Sequence, residues 1–341
     1  MTDFIIVGEN VHTTRVIRRK DARIVTDDQG REAIAFVDEH GAPRALPIAD
    51  TEKSTNEYDE GRVKHVRTAV RQAMEGGEHA GVARDYLRAI ALHQVAAGAA
   101  FLDVNVDEVS LKLDEQKDAM RWLCELVGEV SSVPLSIDSS NLEIIEAGMA
   151  AAPRRAGAPM LNSASLERLE ALQLAATGGG PVIITAAGES GMPDGAAQRV
   201  ENASRMVEHA RAHGIADDRL YIDPLVFPIS VDGEFGHHCL DAIREIRSRF
   251  PRTHITGGMS NVSFGLPNRK LINDAFLVMA IEAGADSGIV DPVMNPPSRA
   301  LALDRDSSSF TIATAVLTGE DRNCKQYLRA ARKGELEGAP A

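Results

Sequence analysis

The amino-acid sequence predicts an α/β fold of the (β/α)8 TIM-barrel class. Eight short, mostly apolar runs recur along the chain, and helical patterns separate most of them. Apolar runs without strict alternation are typical of strands buried on both faces, and strands that alternate with helices indicate parallel βαβ units. Eight such units favour a closed barrel over an open sheet. A plain barrel needs about 250 residues, so the 341 residues present leave room for insertions.

Each predicted strand ends in a polar residue or a turn. In chain order the strands cover residues 4–7, 100–104, 133–137, 159–161, 182–186, 220–222, 254–256 and 287–290. Helices are predicted at 115–130, 141–151, 166–176, 196–213, 238–250 and 269–283. A doubly wound nucleotide-binding sheet also alternates strand and helix. Its glycine fingerprint after the first strand is missing here, since no further glycine stands close behind Gly8.

One segment interrupts the alternation. Residues 15–60 separate the first strand from a helix predicted to begin near Val63, and the turn-like residues 38–41 lie between two apolar runs. This pattern predicts a β-hairpin flap inserted in the first βα loop. Loops that follow strands gather on one side of a barrel, so we expect the flap to shield the strand ends or dock a partner there, and not to be needed for folding. We predict one domain over residues 1–333 and a loose tail at 334–341.

Charge and composition narrow the class of function. Lys and Arg number 37 against 50 Asp and Glu, which gives a net charge of −13. Nucleic acids and anionic membranes attract clustered positive charge, so we expect neither as a partner. The three cysteines show no CxxC spacing, the first residues do not resemble a signal peptide, and no apolar run is long enough to span a bilayer. We expect a cytoplasmic protein that acts on a small ligand or a protein partner.

Polar residues stand at or just past the predicted strand ends. They are Glu9, Asp103, Asn105, Asp138, Asn162, Asp223, Asn261 and Asp291. Strand ends of a barrel converge, and a carboxylate accepts two parallel hydrogen bonds from an amino-amidine edge such as that of a pterin. A phosphate or carboxylate ligand would instead require Arg, Lys or a backbone nest.

Each of these residues also has a simpler interpretation. Asp138 and Asn162 are followed by serines and could cap the next helix. Asp223 precedes Pro224, a pairing that often starts a turn, and Gly257-Gly258 could form an ordinary tight turn. The repetition of such residues at strand after strand favours a binding site.

Four motifs in order resemble those of the pterin-binding methyltransferases. They are residues 135–141 with 145–148, residues 160–163, residues 221–225 and residues 257–263, and residues 268–277 add a further likeness. Over residues 4–14 and about 65–295 the chain is similar to methyltetrahydrofolate:corrinoid protein methyltransferases and to the folate domain of cobalamin-dependent methionine synthase. The resemblance implies a barrel of the dihydropteroate synthase-like type.

The resemblance also implies roles for individual residues. Asp138, Asn162 and Asp223 would bind the amino-pyrimidine edge and ring nitrogens of the pterin, and Asn261 would reach N5, the nitrogen that carries the methyl group. The supporting positions are Asp103, Asn105, Gly257, Gly258 and Ser260, and the further candidates are Glu9, Asn10 and Asp291. The chain departs from the family in three ways. The first motif usually has Arg and Asn where this chain has Asn10 and His12. Phe264 stands where corrinoid-protein methyltransferases often have Gln, although methionine synthase-like sequences have Phe, and the insertion at 15–60 is the third departure.

The implied reaction moves the N5-methyl group between methyltetrahydrofolate and the cobalt of a corrinoid (cobalamin), in a direction that stays open. Because an amide anion leaves poorly, N5 needs a proton or a hydrogen bond as its bond to carbon breaks, and Asn261 is the predicted catalytic donor. HExxH and paired cysteine ligands are missing, so we expect no protein-bound metal. The Asp-x-His at Asp38 lacks the glycine of the corrinoid-binding motif, so we expect the corrinoid on a separate protein.

Two other functions stay open. A dihydropteroate synthase shares the barrel and the pterin pocket, but it needs basic residues near the last strands for a pyrophosphate, and none adjoins Gly258 or Asp291. A non-catalytic pterin-binding subunit would bind folate without transferring methyl groups. We further predict a homodimer.

Overall fold

The computed structural model describes residues 4–336. The strands in this range are β1 Ile5–His12, β2 Ile17–Arg18, β3 Ile24–Thr26, β4 Glu32–Val37, β5 Pro43–Pro47, β6 Arg62–Val63, β7 Phe101–Asn105, β8 Leu135–Asp138, β9 Met160–Ala164, β10 Val182–Thr185, β11 Leu220–Asp223, β12 His254–Ile255 and β13 Ser287–Val290. The α-helices are α1 Asp50–Lys53, α2 Asn56–Asp59, α3 His65–Glu75, α4 Ala80–Ala96, α5 Leu113–Val130, α6 Leu142–Ala151, α7 Glu170–Gly178, α8 Ala196–Ala212, α9 Glu234–Arg249, α10 Arg269–Ala283, α11 Pro297–Leu301, α12 Ser308–Leu317 and α13 Lys325–Lys333. Short 3-10 helices lie at Asp217–Arg219, Met259–Ser263 and Arg322–Cys324.

Strand β1 and strands β7 to β13 form one sheet. Their order in it is β12-β11-β10-β9-β8-β7-β1-β13. The first and last strands of this order are linked, because Gly258, just after β12, forms a parallel bridge with Ile289 of β13. Helices separate the consecutive strands of this sheet along the chain. The predicted (β/α)8 fold is therefore confirmed.

The described chain clusters into two compact units. The N-terminal unit is Gly8–Asn162, and the C-terminal unit comprises the described residues before Gly8 and those from Ser163 onward. Each unit buries the apolar residues of its strands, such as Leu102 and Ile137 in the first and Ile183 in the second, all 0% exposed. The single domain over residues 1–333 stays a prediction.

Strand register sets polar residues side by side within each unit. In the N-terminal unit the parallel pairing of β7, β8 and β9 places Asn105 opposite Asp138 and Asp138 opposite Asn162. In the C-terminal unit the parallel pairing of β10 and β11 places Thr185 opposite Asp223. Since side chains of parallel strands in register point the same way, neighbouring polar residues at the carboxyl ends lie on one side.

Several element bounds differ from the prediction. Strand β1 extends to His12, so Glu9 and Asn10 lie within it and not past its end. The helix predicted near Val63 is two helices, because Gly76 and Gly77, both with positive φ, end α3 before α4 begins. Glycine adopts this backbone region without the steric cost that other residues carry, which explains the break. The predicted loose tail lies outside the described residues from position 337.

The insert between β1 and α3 is a small antiparallel structure. Strands β3, β4 and β5 form a three-stranded sheet, and β2 pairs with β6. Residues 38–41 form the predicted turn, in which the Asp38 carboxylate accepts hydrogen bonds from the N–H groups of His40 and Ala42. The Asp-x-His sequence at this position is therefore part of a hairpin turn.

The insert packs against helices α3 and α4, which bears on the prediction that folding does not need it. The guanidinium of Arg67, in α3, donates to both carboxylate oxygens of Glu52 at 2.9 to 3.0 Å, and both side chains are buried. The Phe36 ring meets the Tyr86 ring of α4 edge-on, with ring centroids 5.1 Å apart. Removing the insert would leave the Arg67 charge buried without its partner, so we now expect the N-terminal unit to depend on it.

Candidate functional site

Five polar side chains of the N-terminal unit meet on β1, β7, β8 and β9. His12 Nε2 lies 2.7 Å from Asp103 Oδ2, and Asn162 Nδ2 donates to Asp103 Oδ1 at 3.3 Å. Asn105 Nδ2 donates to Asp138 Oδ2 at 2.8 Å. Four of these residues were predicted as site residues from the sequence, whereas His12 was noted only as a departure from the family. Buried polar groups that satisfy one another in this way form a preorganised network.

Asp138 does not cap the helix that follows it. Asn141 is the N-cap of α6, because its side-chain oxygen accepts the Glu143 N–H at 2.8 Å. The turn after β8 is held by Asp107, which accepts the Ser140 N–H at 3.0 Å. The capping interpretation of Asp138 is therefore wrong. Within residues 4–336 its carboxylate receives only the hydrogen bond from Asn105, so Oδ1 is left for a ligand.

Burial and charge alter the protonation of this cluster. Burial, with the nearby Asp103 carboxylate, raises the pKa of Asp138 to about 7, although His12 and the Asn105 hydrogen bond act against it. Burial lowers the pKa of His12, but the hydrogen bond and charge of Asp103 outweigh this effect, so that pKa is raised. The nearest His12, Asp103 and Asp138 ligand atoms all lie within 4.8 Å of one another, a spacing that would also suit a cation.

Asp223 ends β11 in the C-terminal unit and is half-buried. Its Oδ1 accepts the Leu225 N–H at 2.7 Å, and Leu225 has a φ of 68°. The turn interpretation of Asp223 is thus partly right. Residues 4–336 supply no donor to Oδ2, which remains available. Burial raises the pKa of Asp223 to about 6, against the effects of the Leu225 N–H and the Arg199 charge.

Arg199 holds the turn that contains Asp223. It lies in α8 and is 0% exposed, and its Nε donates to the Pro224 carbonyl at 2.9 Å. Its guanidinium lies 4.8 Å from the centre of the Phe227 ring. Both terminal nitrogens lack hydrogen-bond partners among the described residues. Burial lowers the pKa of Arg199, and its charge favours an ionised Asp223 nearby.

The double glycine after β12 allows two side chains to approach the turn. A Cβ on Gly257, whose φ is 154°, would lie 3.0 Å from Asp223 Oδ1, and one on Gly258 would lie 2.8 Å from Asn261 Nδ2. Asn261 lies in the 3-10 helix Met259–Ser263 and is exposed. Its side chain has no hydrogen-bond partner in residues 4–336, so its amide can donate to a ligand. Ser260 contributes its carbonyl, which accepts from Arg269 at 2.8 Å.

The three further candidates have partners among the described residues. Glu9 forms an ion pair with Arg15 at 3.1 Å, and the N–H of Asn10 donates to Gln94 at 2.9 Å. Asp291 is buried and accepts the N–H groups of residues 293 and 294 at 3.1 and 2.9 Å, so it forms the turn after β13.

Two residues of the site were not predicted. The signal for Arg199 was its place on the apolar stripe of α8, which it shares with Ala203 and Met206, because an arginine on a buried stripe needs a partner. The signal for His12 was its departure from the family motif, together with an acidic residue in a strand expected to lie nearby. The distance between His12 and Asp103 could be known only from the folded chain.

Known proteins resemble this chain in sequence and in structure. The family model described as pterin binding enzyme matches residues 84–291. A methylcorrinoid:tetrahydrofolate methyltransferase from Eubacterium limosum is 31% identical over 275 residues, which are 78% of this chain and 93% of that protein. The methionine synthase of Mycobacterium leprae is 32% identical over 226 residues, 61% of this chain but only 18% of that longer protein.

Solved structures agree on the fold. The dihydropteroate synthase of Stenotrophomonas maltophilia matches with a TM-score of 0.52 and 23% identity, over 64% of this chain and 86% of that one. The dihydropteroate synthase of Yersinia pestis matches with a TM-score of 0.51 and 22% identity, over 66% of this chain and 85% of that one. At this identity the likeness concerns the fold alone. The sequence likeness is confirmed over most of the chain, and the protein belongs to the pterin-binding enzyme family.

Proposed function

We propose that this protein is a methyltransferase that moves the N5-methyl group between methyltetrahydrofolate and the cobalt of a corrinoid carried by a separate protein. The geometric observation that carries the proposal concerns Asp138, Asp223 and Asn261. Each keeps a polar side-chain atom for which residues 4–336 supply no hydrogen-bond partner, and each stands at or after the carboxyl end of a strand. A carboxylate oxygen or an amide group that has no partner within the protein can form hydrogen bonds to a ligand. The name of the Eubacterium relative supports the reaction.

The ligand that suits these atoms is rich in N–H groups. The Asp138 carboxylate can accept hydrogen bonds from the amino-amidine edge of a pterin. Asn162 gives its amide N–H to Asp103, so it can present its carbonyl oxygen to a ring N–H. We propose that Asp138, Asn162 and Asp223 bind the pterin. The supporting residues in this proposal are Asp103, Asn105, Gly257, Gly258 and Ser260.

Asn261 is the proposed catalytic residue. The corrinoid, when its carrier protein is bound, supplies the cobalt that takes or gives the methyl group. The folate N5 becomes more basic as its bond to the methyl carbon breaks, so a donor at N5 stabilises the transition state more than the ground state. The exposed amide of Asn261 can donate such a hydrogen bond.

Exposed apolar side chains support docking of a carrier protein. In the C-terminal unit, loops that follow strands β10, β11 and β12 present Met192, Val231 and Phe264, which are 66%, 75% and 64% exposed. These strands run parallel, so their following loops lie at the same edge of the sheet as Asn261. Apolar residues gathered at one edge are typical of a protein interface. We propose that the corrinoid protein docks there.

The remaining parts of the proposal concern location and assembly. No helix in residues 4–336 has the length and apolar character needed to cross a membrane. The three cysteines are free and buried, which supports a reducing compartment such as the cytoplasm. We further propose a homodimer, which light scattering of the purified protein would test.

The function is tested with purified protein, methyltetrahydrofolate or tetrahydrofolate, and free or protein-bound cobalamin. We expect folate binding by calorimetry, methyl transfer to or from cobalt by absorbance, and no corrinoid absorption band in the purified protein. Folate binding without transfer to any corrinoid would indicate a non-catalytic subunit. Absence of folate binding would contradict the proposal, and a stoichiometric corrinoid band would contradict the separate carrier.

Asp138→Ala and Asp223→Ala are each expected to weaken folate binding by about ten- to a hundred-fold. Losing one of several charge-assisted hydrogen bonds costs roughly 1.5–3 kcal/mol. Calorimetric titration with methyltetrahydrofolate measures the loss. Asn141→Ala is the matched control, because it removes the α6 cap three residues from Asp138 and should lower stability by about 1 kcal/mol with binding unchanged. Normal folate binding by both aspartate variants would contradict the proposed pterin contacts.

A further inference from the structure

His12 is the last residue of β1. Its Nε2 lies 2.7 Å from Asp103 Oδ2, and the side chains are 15% and 1% exposed. The hydrogen bond is thus shielded from water, and the charge that it stabilises acts at short range. An asparagine at this position could still hydrogen-bond to Asp103 but would carry no charge.

The groups around Asp138 are mostly acidic. Asp103 and Asp107 raise its pKa, and the charge of His12 lowers it, as does the hydrogen bond from Asn105. The negative charge of Glu9 in turn raises the pKa of His12. His12, when protonated, therefore places a positive charge beside these carboxylates. Its position within 4.8 Å of the Asp138 carboxylate makes its charge effective.

We propose that His12 is a positioning residue that keeps Asp138 ionised beside Asp103, and that it thereby sets the lower pH limit of folate binding. The inference rests on the proposed function, since it requires Asp138 to accept N–H groups of the pterin. An ionised carboxylate accepts two such hydrogen bonds, whereas a protonated one carries a donor that opposes the ring N–H groups.

The sign of the pH effect follows from the protonation of Asp138. Its pKa of about 7 means that the free protein holds the acceptor form above that pH and loses it below. The folate Kd should therefore be flat above about pH 7 and rise by about tenfold for each pH unit below it. Asp223, with a pKa of about 6, adds a second loss only at lower pH.

The test measures methyltetrahydrofolate binding by calorimetry from about pH 6 to about pH 9 with the full-length protein. In His12→Asn, loss of the nearby positive charge should raise the pH below which the Kd begins to increase (the break in the Kd profile) by about one pH unit. At pH 7 this shift weakens binding about fivefold, while at the highest pH the variant approaches the wild type. Asp138→Asn should bind weakly and lack the break.

His254→Asn is the matched control. His254 Nδ1 lies 3.0 Å from Asp286 Oδ2 at the start of β12, so the variant removes another histidine–aspartate pair away from the strand ends that carry the site. Its Kd profile should match that of the wild type. Folding of each variant is checked by thermal unfolding at pH 8.

The outcomes separate this inference from the proposed function. No folate binding at any pH would contradict the proposed function itself. Normal binding with no break near pH 7, or an unchanged break in His12→Asn, would overturn the role of His12 alone. Binding that EDTA abolishes and Mg²⁺ restores would show that the cluster holds a cation, and would also overturn it.

Discussion

Asn261→Ala is expected to lower the rate constant of methyl transfer by about a hundred-fold or more while folate binding weakens much less. Removing one donor that stabilises developing charge typically costs about 10²–10³ in kcat. The Asn261 side chain is exposed and has no hydrogen-bond partner in residues 4–336, so its removal leaves no described group unsatisfied. The loss should therefore appear in the chemical step and not in stability.

Single-turnover transfer from methyltetrahydrofolate to excess reduced cobalamin measures the step directly, and calorimetry measures the folate Kd. Asn261→Asp is the isosteric comparison, because it keeps the size of the side chain but loses the N–H donor when ionised. It should transfer as slowly as the alanine variant. If Asn261→Ala weakened binding and kcat/KM equally and left kcat unchanged, Asn261 would be a binding residue only.

Glu52→Ala is expected to lower the free energy of unfolding by about 3 kcal/mol, because it removes the short hydrogen bonds to the buried Arg67 guanidinium and leaves it with Glu57 at 3.7 Å. The Glu52 side chain is 1% exposed and that of Arg67 is 8% exposed. Glu52 also accepts the Lys64 N–H at 2.9 Å, which ties the insert to the start of α3. Chemical denaturation followed by circular dichroism measures the loss.

Two comparisons make this prediction specific. Asp50→Asn, in the same short helix with a fully exposed side chain, should change stability by less than about 0.5 kcal/mol. The double variant Glu52→Leu with Arg67→Met removes both charges together and should lose much less than Glu52→Ala. A loss of under about 1 kcal/mol in Glu52→Ala would show that the insert is not anchored by this pair.

The predictability of the site differs between its residues. Asp138, Asn162 and Asp223 were predicted as pterin contacts because each ends an apolar run, and the carboxyl ends of parallel strands carry chemistry in this fold. Glu9 and Asp291 show the same pattern, and the structure adds that Glu9 pairs with Arg15 and that Asp291 accepts N–H groups in the turn after β13. A pattern along the chain places a residue at a strand end without revealing which other group it meets there.

Hydrophobic periodicity and ordered motifs are local properties of the chain, so they were enough to predict the (β/α)8 class, the succession of its strands along the chain, the inserted β flap and the family. The tertiary structure alone decided that the insert packs on α3 and α4, that Asn141 and not Asp138 caps α6, and that His12 pairs with Asp103, 91 positions away. Hydrogen bonds and protonation depend on distances of a few ångströms in a buried environment, and only folding brings distant residues that close.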